Sequence, residues 1–148
     1  MPKPVTPLVG CDVFVLNEKK HLLLVRRSDN GYWALPGGCQ ELNETPKQAA
    51  ERECFEESGY RVEAYSLLGV YSSRCYQYVN YPWKENVFTH ILYRAKIVGG
   101  SAHTSSNETT EIGWFAEGSI PPLSDGMEPR IQFGFACERN PGWRPHLE

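Results

Sequence analysis

No stretch of this 148-residue chain reaches the ~18 consecutive apolar residues that a membrane-spanning helix needs, so a bilayer is not its expected setting. The first residues, Met1-Pro2-Lys3-Pro4-Val5-Thr6-Pro7, lack the apolar run of a signal peptide. A large excess of one charge is absent too. The net charge of −3 gives no general attraction for nucleic acid or an anionic membrane. No Cys-x-x-Cys pair occurs among the five cysteines, Cys11, Cys39, Cys54, Cys75 and Cys137, which argues against a zinc site. Their odd number fits free thiols in a reducing, cytoplasmic setting. Repeats and low-complexity tracts are also missing. A single domain over residues 1–148 is expected, long enough to bury a sizeable core.

What is present is a cluster of acid. Arg52-Glu53-Cys54-Phe55-Glu56-Glu57 lies in a segment that reads as a helix over residues 46–58. Thr45 is a good N-cap, Pro46 suits the first helical position, and Gln48 completes a capping box with Thr45. Gly59 suits the left-handed residue that ends a helix. Positions three and four apart are neighbours on a helix, so Glu53, Glu56 and Glu57 crowd together near its C-terminus. Like charges repel there, and the helix dipole disfavours anions at that end. A solvated face of glutamates is the commoner use of such a pattern. A hard divalent cation, which takes carboxylate oxygens as ligands, removes the conflict. Glu53 and Glu57 share a side with Ala49 and Ala50, whose small side chains predict a face packed close to the rest of the protein.

The remaining chain alternates strand and turn signals. Residues 8–16 read as a strand, 17–20 as a turn and 21–27 as its hairpin partner. Trp33-Ala34-Leu35-Pro36-Gly37-Gly38 supplies an aromatic anchor and a Pro-Gly-Gly turn whose backbone can approach an ion closely. Strands are expected over 61–71, bent near Gly69, over 87–98 and over 112–115. A glycine- and serine-rich loop spans 99–110. A second helix is expected over 127–138, with Pro129 in its first turn, followed by an extended tail. Strands on both sides of a helix predict α/β or α+β layers.

The whole spacing from Gly38 to Tyr60 resembles the signature box of the Nudix hydrolase family. It reads glycine, five residues, Glu44, seven residues, Arg52-Glu53, two residues, Glu56-Glu57, one residue, Gly59 and Tyr60. Cys54 and Tyr60 stand where aliphatic residues are usual, and Phe55 stands at a usually polar position. The resemblance covers residues 8–122, and the segment 123–148 carries no family signature. It implies the Nudix fold, a mixed β-sheet between helices. It also implies hydrolysis of a nucleoside diphosphate linked to a group X, giving a nucleoside monophosphate and phosphorylated X. Mg²⁺ or Mn²⁺ would be held by Glu53, Glu56, Glu57 and the Gly38 carbonyl. Arg52 and Glu44 would pair to orient the helix. Arg27 would contact phosphate. A further carboxylate is expected on the loop 107–111, with Glu108 the first choice and Glu111 the second. Tyrosine some distance after the box resembles diadenosine polyphosphate hydrolases, and proline there resembles ADP-ribose hydrolases. Here Tyr76 and Tyr78 are candidates to stack on a nucleobase, with Trp83 beside them. The expected partner is a nucleotide-type small molecule, with no stable nucleic-acid complex, and a homodimer is left open. Two readings from other classes stand beside this one. A binding module that has lost catalysis would have no need for the intact Arg-Glu-x-x-Glu-Glu. A decapping-type RNA-processing enzyme would be expected to carry a basic stripe.

Overall fold

These signals produce the elements below, and the computed structural model describes residues 7–72, 87–104 and 106–148. Strands β1 (Leu8–Val15), β2 (Leu22–Arg27), β3 (Trp33–Ala34) and β4 (Gly37–Cys39) precede helix α1 (Pro46–Ser58). Then come β5 (Tyr60–Ser72), β6 (Phe88–Gly100), β7 (Thr109–Phe115), a 3₁₀ turn at Glu117–Ser119 and helix α2 (Met127–Arg139). They form a four-stranded mixed sheet in the order β4-β1-β6-β5 and a three-stranded antiparallel sheet in the order β3-β2-β7. The architecture is α+β, as expected. In the mixed sheet β1 runs parallel to β6 and antiparallel to β4.

The expected hairpin of residues 8–27 does not form. β1 and β2 share one antiparallel bridge, Leu16 to Leu22, and then part into different sheets. The reason is burial. Val13 and Val15 are 0% exposed and Phe14 is 2% exposed, so β1 needs cover on both faces, which a two-stranded ribbon cannot give. The alternation of β1 divides the core in two. Cys11, Val13 and Val15 pack with Ala49, Ala50 and Cys54 of α1. Phe14, on the other face, packs with Met127, Ile131 and Phe135 of α2. The Phe14 and Phe135 rings meet edge to face at 5.2 Å.

The Pro-Gly-Gly segment also departs from the expected turn, because Gly37–Cys39 is itself a strand paired to β1. β5 is irregular between Leu67 and Gly69, where the bend was expected. The tail is extended. Its His146 bridges Gly69 and stacks on Tyr71 at 4.4 Å, covering part of the sheet's edge strand. The four described cysteines, Cys11, Cys39, Cys54 and Cys137, are free thiols. No helix among the described residues is long and apolar enough to cross a membrane.

Candidate active site

Helix α1 is built as its caps dictate. Thr45 Oγ1 accepts from the Gln48 N–H at 3.1 Å, and the Gln48 side chain accepts from the Thr45 N–H at 2.9 Å. Such a cap is worth about 1 kcal/mol. At the far end Gly59 adopts φ 79°, and a Cβ there would lie 2.2 Å from the Ser101 carbonyl oxygen. The helix therefore stops where its last turn, which carries Glu56 and Glu57, meets the sheet.

The two glycines of β4 explain how the carboxylates are seated. A Cβ on Gly38 would lie 2.5 Å from Glu53 Cδ, and one on Gly37 would lie 2.2 Å from Asp12 Oδ1. The strand is thus pressed between two carboxylates, Glu53 on its α1 side and Asp12 on the opposite side. The Gly37 N–H donates to Glu57 Oε1 at 2.8 Å. Neither glycine has positive φ, so the absence of a side chain is what each position requires.

Glu108 arrives from the start of β7. Its backbone carbonyl accepts from the Ser28 N–H at 2.8 Å, and the Asn107 carbonyl accepts from Ser28 Oγ at 2.9 Å. The Thr109 hydroxyl donates to the Glu57 carbonyl at 3.2 Å, tying this loop to the end of α1. As a result one carboxylate oxygen from each of Glu53, Glu57 and Glu108 lies within 4.8 Å of the others. Glu57 is 5% exposed, and burial pushes its carboxyl pKa well above the usual range against the pull of the Gly37 N–H. Burial also raises Glu53, and Arg52 works in the opposite direction. Glu108 is exposed.

Arg52 organises the near rim. Its Nε and Nη2 reach the two oxygens of Glu44 at 3.0 and 2.8 Å, a bidentate pairing that holds the Glu44 carboxyl at about 2. Nη1 reaches Glu53 at 3.0 Å and Glu56 at 3.3 Å, and Nη2 also donates to the Cys39 carbonyl at 3.2 Å. Glu44 further accepts from the Glu41 N–H at 2.8 Å.

The remaining candidates are distributed as follows. Glu56 lies outside the three-carboxylate group, with its side chain half exposed and paired to Arg52. Glu111 is turned to Arg26 at 3.2 Å, so the loop offers Glu108 to the cluster and directs Glu111 away. Arg27 binds Asp29, with Nε donating at 2.9 Å, and its charge still reaches Glu57 and favours the ionised form. Tyr76, Tyr78 and Trp83 lie outside the described residues. Phe55 is 42% exposed, with the Arg61 guanidinium 5.2 Å above its ring. A groove of about 650 Å³ lies between residues 117–126 and α2, and none of the clustered carboxylates lines it.

The sequence reading singled out neither Asp12 nor Arg130, which form a buried ion pair between β1 and α2. The signal for Asp12 was present: a single carboxylate inside the apolar run of residues 8–16.

A profile of the NUDIX domain family matches residues 6–133, and the chain belongs to that family. It is 40% identical over 106 residues to a MutT-like protein of Streptomyces ambofaciens, a match covering 72% of this chain and 62% of that protein. It is 44% identical over 129 residues to an ADP-ribose pyrophosphatase of Methanocaldococcus jannaschii, covering 85% and 72% of the two chains. The crystal structure of an ADP-ribose pyrophosphatase from Streptococcus suis superposes with a TM-score of 0.79 at 26% identity, covering 97% of this chain and 100% of that one. Other relatives are named for 8-oxo-dGTP or 8-oxo-dGDP. The chain spans between about half and two thirds of the length of several relatives it matches. Nudix hydrolases generally use divalent metal ions, and the donor set here fits one. It offers only oxygen, and it crowds ionisable carboxyls that burial leaves short of compensating charge.

Proposed function

We propose that this protein is a metal-dependent pyrophosphohydrolase that cleaves a nucleoside diphosphate linked to a second group X, releasing a nucleoside monophosphate and phosphorylated X. One observation carries the reading. Oxygens of Glu53, Glu57 and Glu108 converge within 4.8 Å, at the family box and beside the glycine strand. Mg²⁺ or Mn²⁺ would be held by Glu53 and Glu57, with the Gly38 carbonyl and Glu56 as further ligands. Such an ion neutralises phosphate charge and lowers the pKa of a bound water.

The residues of the chain divide the remaining work. Glu57 keeps one oxygen on the Gly37 N–H, which fixes the orientation of its carboxylate. Glu53 is aimed by Arg52, which is itself locked by Glu44. Glu108 takes the proton of the attacking water on a carboxylate oxygen, and its exposure lets it return that proton to solvent. Arg27 would contact phosphate, while the expected base-stacking residues Tyr76 and Tyr78 lie outside the described residues. The names of several relatives favour ADP-ribose as the first substrate to test.

A product assay on ADP-ribose, sugar nucleotides, dinucleotides, nucleoside triphosphates and capped RNA decides the class. Release of a nucleoside monophosphate from one of the first four groups supports the proposal. Preference for capped RNA would move the protein to RNA processing. Tight binding without turnover of any compound would make it a binding module.

A further inference from the structure

On the α2 side of the mixed sheet, the catalytic geometry rests on a buried ion pair that no motif announces. Asp12 is 4% exposed and Arg130 is 1% exposed. Arg130 Nη1 donates to Asp12 Oδ2, joining α2 to β1 across the core. Its Nε donates to the Gly126 carbonyl at 3.0 Å, so the guanidinium is fixed within its own helix turn. His90 Nδ1 lies 3.3 Å from the same Asp12 oxygen. The paired guanidinium and the neighbouring imidazole hold the Asp12 carboxyl below its usual range in spite of complete burial.

The other Asp12 oxygen carries the consequence. Asp12 is directly opposite Gly37 in the β1–β4 register. Its Oδ1 occupies the space where a Gly37 side chain would stand. On the facing side of the same strand, Glu53 occupies the space of a Gly38 side chain, and Glu57 takes the Gly37 N–H. A three-residue strand gripped on one side by α1 therefore has Asp12 as its backing on the other. The position of Asp12 is in turn set by Arg130.

We infer that Asp12 and Arg130 are positioning residues whose ion pair clamps α2 to β1 behind Gly37 and so sets Gly37 and Gly38 against the carboxylates of α1. The inference rests on the metal reading above. It gives the second helix, which the family box does not include, a part in the reaction. Groups that hold ligands in place commonly change metal affinity by roughly ten- to a hundredfold when removed.

The test is Mn²⁺ binding to the full chain, followed by paramagnetic resonance of free Mn²⁺, together with kcat, KM and Tm. Wild type is measured first, and if it fails to bind Mn²⁺ the proposed function itself is wrong. Given wild-type binding, Asp12→Asn and Arg130→Met should each weaken Mn²⁺ by roughly tenfold or more and lower kcat more than KM. Arg130→Lys, which keeps the charge, should recover part of the affinity. Phe135→Leu controls for simple loosening of α2, since Phe135 packs on Phe14 and is not a member of the ion pair. It should lower Tm and leave Mn²⁺ affinity unchanged. Should Arg130→Met fail to fold, Asp12→Asn, nearly identical in shape to the native residue, carries the test. Wild-type Mn²⁺ affinity in folded Asp12→Asn, or in folded Arg130→Met, would overturn the inference.

Discussion

Replacing Gly38 by alanine adds one methyl group, and the structure says what that group meets. It would lie 2.5 Å from Glu53 Cδ and 2.6 Å from Oε1, where ordinary contact begins at 3.4 Å. The carboxylate has to retreat by about 1 Å, and a misplacement of that size costs about 100-fold in rate. It leaves Arg52 at 3.0 Å and a cluster only 4.8 Å across, so the move also disrupts both arrangements. Stability should change little. What yields is the end of a side chain, the φ of Gly38 is not positive, and Gly→Ala at a compatible site gains about 0.4–1 kcal/mol through the unfolded chain. Gly37→Ala is the contrast. There the methyl also meets backbone, 2.5 Å from the Cys11 carbonyl oxygen and 2.8 Å from Asp12 Cα, neither of which can move cheaply. Measured by Tm and by kcat with saturating Mn²⁺, Gly38→Ala should lose about 100-fold in kcat with a Tm near wild type. Gly37→Ala should lose Tm outright. A Gly38→Ala enzyme with the wild-type kcat would refute the reasoning.

Glu57→Gln and Glu53→Gln should each lower kcat by more than about tenfold, since metal charge stabilisation is worth several kcal/mol, while far-ultraviolet circular dichroism stays unchanged. Glu108→Gln should lower kcat by roughly 100-fold or more and Glu111→Gln should leave it unchanged, because Glu111 is paired with Arg26 away from the cluster. A wild-type kcat in both variants would remove the loop from the chemistry. Stability without metal should depend on pH in a particular direction. Glu57 and Glu53 titrate above their ordinary value when folded, so the native state holds the extra protons, and Tm should fall as pH rises from about 4.3 through their raised pKa values. Asp12 and Glu44 are depressed, so their contribution is lost as pH falls below the ordinary carboxylate range, toward about 2 for Glu44. Calorimetry of chelator-treated protein should therefore show a higher Tm at mildly acid pH than at pH 8, and Mg²⁺ should raise the pH 8 value. A flat profile would contradict the burial of Glu57.

Much of the site was legible because its parts are local. The capping box at Thr45, the stop at Gly59 and the acidic cluster are all consequences of helix geometry within one segment. The Arg52–Glu44 pairing and the preference for Glu108 over Glu111 came from the family resemblance and from loop position; in the structure Arg52 is bound to Glu44, and Glu108 lies near Glu53 and Glu57. What stayed hidden depends on distant pairing. The turn at residues 17–20 looks like a hairpin from either side. Only the demand of β1 for cover on two faces sends β2 to another sheet. The Gly37–Gly38 pair read as a flexible turn, although each glycine is a strand residue facing a carboxylate. Arg130 lies 118 residues from Asp12, in a segment without a signature, so their pairing had no trace in local pattern.

The central claim is that the oxygens gathered by α1, β4 and the Glu108 loop hydrolyse a pyrophosphate only with a divalent ion. Its most direct test is the rate of nucleoside monophosphate release from the best substrate of the panel, first with Mg²⁺, then in excess chelator, then with Mg²⁺ restored above the chelator. The account predicts full activity, loss to the buffer rate and full recovery. An undiminished rate in excess chelator would contradict it.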